Sequence, residues 1–315
     1  MINRNAKLVL LPFLVLMIIP DLLMARMTQY PREDRLKVDV YVQETMESEE
    51  GVFRYGFGVA NAMNSKQKIG GFALEMPVGP EEGIGKGAVR LPDGWAILGN
   101  PIRKTKLYSF DRDWERGGLV EPGKSTDGLK FTSEAAPGII NFRAWGYVPL
   151  SEMPTTADLP PETPYEAPDL TGSDYVSNSF KGRTVGPQEV LDGKSPQYLI
   201  ERLVAQQTEA TSLGWITPRA VSDGLSCRLR EAQEKICRSD EKAAIGVLNG
   251  LLGELDGLRG RKSLNDNAYF LLKVNVEYLI QELEKPWYKK WFGKHHHHEH
   301  EKDRDGRSEG GKDHK

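Results

Sequence analysis

The sequence predicts a multidomain α and β protein: an N-terminal antiparallel β-sandwich, a Pro-rich linker and a C-terminal antiparallel four-helix bundle. Three observations predict it. Apolar residues alternate with polar ones over much of Asp34–Val148. Six prolines crowd the stretch Pro149–Pro168. From Ser195 to Glu284 apolar residues instead recur every third or fourth position. One face of a strand is visited every second residue and one face of a helix about every 3.6, so a change in spacing is a change in element type.

The chain opens on a basic start (Arg4, Lys7), an apolar run from Leu8 to Ile19, then Pro20-Asp21 and a Leu22-Leu23-Met24-Ala25 exit. A run of 12 residues suits a signal-peptide core and is short of the roughly 20 that span a bilayer. Residues 1–25 are therefore expected to be a secretory signal ending at Ala25. An uncleaved anchor is the alternative, because Leu23 is a poor residue two places before the cut. No cysteine follows the run closely, which argues against lipid attachment.

Strands are expected where the period is two. Leu36, Val38, Val40 and Val42 alternate with polar residues, and Phe53, Tyr55, Phe57 and Val59 alternate with Gly56 and Gly58 between. Ile69, Phe72, Leu74 and Met76 follow, then Val89 and Leu91, and Trp95–Leu98. Later strands are expected around Lys106–Phe110, Gly128–Thr132 and Ile139–Val148. Turn signals separate them at Asn64-Ser65, Pro92-Asp93-Gly94, Asn100-Pro101, Glu121-Pro122-Gly123 and Ala136-Pro137-Gly138. Short strands so spaced indicate an antiparallel sandwich over 34–148.

The proline-rich stretch reads as an extended linker. Gly172–Gly193 stays polar and glycine-punctuated and is taken with it, so the connector covers 149–194. Ser195-Pro196 then signals a helix: Ser as N-cap, Pro at the first position, where its missing N–H costs nothing. Leu199, Ile200, Leu203 and Val204 form its stripe, and Gly214 its stop. Thr217-Pro218 repeats the device ahead of Val221, Leu225, Leu229, Ala232 and Ile236. Ser239 is expected to open a third helix carrying Ala244, Ile245, Leu248, Leu251, Leu252, Leu255 and Leu258, with Gly257 and Gly260 near its end. Asn265 caps a fourth, with Leu264 as a staple residue, and its apolar positions are Ala268, Leu271, Leu272, Val276, Leu279, Ile280 and Leu283. One stripe per helix means that each needs a neighbour, since short helices are marginal alone.

Within this helical span, Gly214-Trp215-Ile216, the Asp240–Leu248 segment, the Arg259–Lys262 loop and the closing Glu277–Ile280 together resemble the small helical FIMAH-type module of secreted bacterial proteins. The likeness covers Leu213–Ile280, about a fifth of the chain. It implies an accessory or attachment module and brings no catalytic residues. Cys227 and Cys237 depart from it, standing where Ala- or Leu-like residues are expected. In the strand region, Leu119–Gly123 followed by Gly128–Phe131 loosely resembles adhesin- or cohesin-like modules, over turns alone.

A chain of 315 residues has room for two ordinary domains. Its net charge of −3 gives no bulk field for nucleic acid, and none is expected as a partner. All six histidines lie at or beyond His295, which removes Ser/His and Cys/His catalysis and histidine zinc sites from residues 1–294. If Cys227 and Cys237 share a helix, ten residues at 1.5 Å rise put them about 15 Å apart, against about 7 Å for a bridge. Two unpaired or partly buried thiols are expected. A bridge between chains, or a broken helix with an internal bridge, are the alternatives.

Three sets of residues carry the site expectations. Trp95, Trp114 and Trp145, if exposed, suit stacking on sugar rings, and are otherwise core. Trp287, Lys289, Lys290 and Trp291, in the aromatic-basic segment 285–294, suit an anionic surface: lipid headgroups, wall polymer or nucleic acid. Otherwise the two tryptophans cap the helices. His295, His296, His297, His298 and His300, in a charged tail 295–315 expected to be disordered, are first read as solvated with no metal role; the alternatives are weak binding of Zn, Ni or Cu without fixed geometry, and an expression tag. No other cofactor is expected. Glycoside hydrolysis needs only two acids, but Glu75, Glu81, Glu82, Asp93, Asp111 and Asp113 stand in no spacing that singles out a pair. Gly83–Gly87 lacks the spacing of a phosphate loop.

The function expected is thus that of an exported, non-enzymatic binding or structural protein, secreted or in the cell envelope. Its partner would be an extracellular or envelope protein or polysaccharide. The alternatives are a carbohydrate-binding or carbohydrate-active protein and a metal-binding surface protein using the tail.

Overall fold

The computed structural model describes residues 38–47, 52–77, 89–93, 95–97, 107–112, 118–147 and 179–285. These hold two antiparallel sheets and four helices, a mixed α and β protein. They divide into two compact units. One contains the residues up to Val190 and Leu264–Val274; the other contains Leu191–Ser263 and the residues from Asn275 on.

The smaller sheet has three strands in the order β1 (Val38–Glu47), β2 (Phe53–Asn61) and β6 (Ser125–Ser133). β2 is its centre, and its alternation decides the two faces. Phe53, Tyr55, Phe57 and Val59 are all buried. Tyr55, Phe57 and Phe131 stack with centroids 5.5–6.2 Å apart. Such contacts are worth about 0.5–1.5 kcal/mol each beyond burial. The Tyr55 hydroxyl is not wasted there: it donates to the carbonyl of Ala135 at 2.7 Å.

The larger sheet has five strands, in the order β4 (Trp95–Ile97), β5 (Leu107–Arg112), β3 (Ile69–Glu75), β7 (Ala135–Gly146) and β8 (Phe180–Val190). On one face Phe72 meets Trp95 edge-on at 5.7 Å, and Phe142 tilts against Phe180 at 6.2 Å. The Phe57 ring reaches from the smaller sheet to 3.9 Å from where a Cβ on Gly186 would lie. Phe57 of β2 and Gly186 of β8 are thus neighbours at this point. Asn61, 2% exposed, ties the loops beside them, donating to the carbonyls of Gln67 at 2.9 Å and Val120 at 2.8 Å.

Two expectations are corrected in this sheet. Phe180–Val190, expected to be connector, is an eleven-residue strand paired with β7 from Ala135 to Ala144. Ala136-Pro137-Gly138, taken as a turn, lies inside β7, at a register shift that sets Pro137 opposite Pro187 and Gly138 opposite Gly186. Neither proline has an N–H to offer a ladder, and an irregular edge-strand pairing is where a sheet tolerates that. The glycines in β8 have a reason in space. A Cβ on Gly182 would sit 2.3 Å from the Phe142 ring, and one on Gly186 2.3 Å from Ile140 Cδ1. The bulk that β8 lacks is supplied by β7. The remainder of the expected linker, up to residue 178, lies outside the described residues.

The helices are α1 (Pro196–Ser212), α2 (Arg219–Cys237), α3 (Glu241–Gly260) and α4 (Asp266–Glu284). α1 packs on α2, and α2 on α3. Ser195 caps α1, accepting from the Tyr198 N–H at 3.2 Å. Asn265 caps α4 through the Ala268 N–H at 2.9 Å. The other two starts differ from expectation. Thr217–Pro218 is a cis peptide, and Pro218 is the N-cap of α2 rather than its first residue. Asp240, not Ser239, caps α3, accepting from the Ala243 N–H. Ser239 takes the left-handed conformation that closes the preceding helix. The seven apolar positions expected for α4 are all buried. Among the described residues no helix is long and apolar enough to cross a membrane.

Candidate interaction surface

The structure places two of the three candidate tryptophans in the core. Trp95 is 7% exposed and Trp145 6%. Trp95 lies edge-on to Phe72, and Trp145 lies over Gly71, where a Cβ would come 2.6 Å from the indole. A buried ring cannot stack on a sugar, so the expectation of a ring-lined groove fails at these two positions. Trp114 lies outside the described residues, as do Trp287, Lys289, Lys290 and Trp291, the histidines from His295 to His300, and the Gly83–Gly87 loop. Among the acids considered for hydrolysis, Glu75 is taken up by an ion pair with Arg143 and a 2.9 Å bond from Asn141. Asn141 in turn accepts from Arg183 at 2.8 Å. This is a cross-strand ladder, not a pair of free carboxylates. Asp93 is exposed at a turn. Among the described residues no group of three or more His, Cys, Asp or Glu is arranged to hold a metal ion.

The other face of the smaller sheet carries a polar arrangement that the sequence pattern did not single out. Tyr41 on β1 crosses β2 to donate to Asp127 on β6 at 3.0 Å. It can do so because β2 has glycine beneath: a Cβ on Gly58 would lie 2.4 Å from Tyr41 Cζ and 2.5 Å from Asp127 Oδ1. The Tyr41 phenol is raised above the usual tyrosine value, first by burial, then by the bond to Asp127 and that residue's charge; Asp39 adds to the rise, and a bond with Ser125 opposes it. Asp39, exposed as a residue, has its carboxyl raised by desolvation. A phenol raised on folding binds more protons in the folded state. Its contribution is complete below the unfolded value, 10.0, and is lost as pH rises through the folded one. The stability difference between the native chain and Tyr41→Phe should therefore be constant up to about pH 10 and shrink above it. Urea midpoints measured across that range check this, and a difference that widens with pH would contradict it.

Between α1 and α2 the apolar stripe is interrupted by a buried polar cluster. Gln207, 1% exposed, donates to Ser222 Oγ at 2.9 Å and to Thr211 Oγ1 at 3.2 Å, and accepts from Ser226 at 2.8 Å. Thr211 and Ser222 share a further bond of 2.8 Å. A closed network of this kind fixes the register of two helices more narrowly than leucines do. Gln207→Leu, which keeps the volume and strands the hydroxyls, should cost about 1–3 kcal/mol in chemical denaturation. An unchanged midpoint would mean that the hydroxyls re-pair freely.

α3 presents the surface with the least internal explanation. Its buried side is Ala244, Leu248, Leu251, Leu255 and Leu258. Its exposed side carries Gly246, Gly250, Gly253, Gly257 and Gly260, in steps of four, three, four and three. A Cβ at Gly246, Gly253 or Gly260 would meet nothing within 4 Å. At Gly250 it would meet only Arg228 Nη1 at 3.8 Å, and at Gly257 only Arg261 Nη1 at 3.5 Å. The glycines are thus not needed to admit anything within the described chain. Each interior one costs about 0.8–1.0 kcal/mol relative to alanine. The four before Gly260 together cost about 3–4 kcal/mol. What they provide is a side-chain-free track where a foreign surface can approach the helix backbone closely.

On α2, Arg228 pairs with Glu254 of α3 at 2.7 Å; both are partly exposed, so the pair adds little stability. Cys227 and Cys237 are free and lie on this one unbroken helix, which removes the broken helix with an internal bridge; both are exposed rather than partly buried. Cys237 donates to Gln197 Oε1 at 3.2 Å and lies in a shallow groove of about 300 Å³ with Arg230, Gln233, Glu234 and Arg238. Compared with protein-family models and with curated proteins, the chain matches none.

Proposed function

We propose that the chain is an exported, non-enzymatic binding or structural protein. In this reading the two sheets form a β-sandwich that does the recognition. The helices form a four-helix module of FIMAH type that holds the protein to an extracellular or envelope protein or polysaccharide. The observation that carries it is the exposed glycine face of α3, a helix surface costly to the fold and unfilled by the described chain. It is supported by the signal-like start, by the absence of histidine before His295, and by the resemblance over Leu213–Ile280. Trp287, Lys289, Lys290 and Trp291 would add a peripheral contact with membrane or wall. Nucleic acid has no part in it.

The test is co-sedimentation of the full mature chain with cell-envelope material from the producing cell, against a Gly250→Gln, Gly253→Gln variant. Glutamine is a good helix former, so the variant keeps its helix while filling the track. The apparent affinity should fall at least about tenfold, equivalent to about 1.4 kcal/mol, with the far-ultraviolet spectrum unchanged. Undiminished binding by the variant would overturn the role of α3. Enzymatic turnover by the purified chain, abolished by a single acid substitution, would overturn the non-enzymatic reading altogether.

A further inference from the structure

We draw no further inference here: the strongest candidate, the exposed glycine stripe from Gly246 to Gly260 on α3, belongs to the surface already described, and nothing in the structure shows what covers it.

Discussion

Replacing Gly246, Gly250 and Gly253 together by alanine is expected to stabilise the helical region by about 2–3 kcal/mol. The figure is the sum of three helix-interior glycines, each returning the backbone entropy that glycine loses on folding. No clash offsets the gain, because the three sites are open or touch only the tip of Arg228. For a unit of this size each kcal/mol moves the midpoint of thermal unfolding by roughly 4–8 °C. The shift is therefore large enough to read by circular dichroism or calorimetry. A triple variant that melts no higher than the native chain would contradict the expected gain. If the variant melts higher while envelope binding weakens, the glycines are retained for contact at the expense of stability, a common trade at functional surfaces.

Phe57→Ala has the opposite sign and the larger magnitude. The ring stacks within 12° of parallel on Tyr55 and within 19° on Phe131. It is also the ring that approaches Gly186 across the two sheets. Removing a buried phenylalanine costs about 3–5 kcal/mol, part transfer and part unfilled cavity. That is a large share of the roughly 5–15 kcal/mol that hold an ordinary domain folded. The urea midpoint should fall accordingly, and Phe57→Leu should recover part of the loss. A double-mutant cycle with Ile140→Ala separates the cross-sheet contact from burial alone. A loss under about 1 kcal/mol would show that Phe57 does not sit in a shared core.

Much of the fold was legible wherever pattern and chemistry agreed. Phe53, Tyr55, Phe57 and Val59 announce β2 by simple alternation, and all four are buried. Ser195-Pro196 and Asn265 announce their helices because capping is a local event, decided by one side-chain oxygen and one N–H. β8 was hidden because Gly182, Gly186 and Pro187 are strand-poor residues when read alone. Their fitness depends on Phe142, Ile140 and Pro137, 40 to 50 residues earlier, and on a register that no local pattern encodes. The start of α2 was misplaced by one residue because Pro218 serves as its N-cap.

The site was less legible than the fold. Trp95 and Trp145 were ambiguous in sequence, since a tryptophan in a strand-rich region is either core or contact; only their neighbours Phe72 and Gly71 decide it. The Gln207 cluster was missed because glutamine in an amphipathic helix is ordinarily solvated, and its partners Ser222 and Ser226 are on another element. The glycine face of α3 did carry a signal. Five glycines at a 3.5-residue repeat in one helix are unusual for an element that propensity alone should build from alanine and leucine.

The pairing of rings with glycines constrains how the sheets can drift in sequence. Trp145 covers Gly71, Tyr41 covers Gly58 and Phe142 covers Gly182, each directly opposite on the neighbouring strand. Enlarging the small partner alone collides, and shrinking the large one alone opens a void. Bulk at these positions can therefore migrate only by joint exchange, and in a set of diverged relatives the two columns of each couple should vary together.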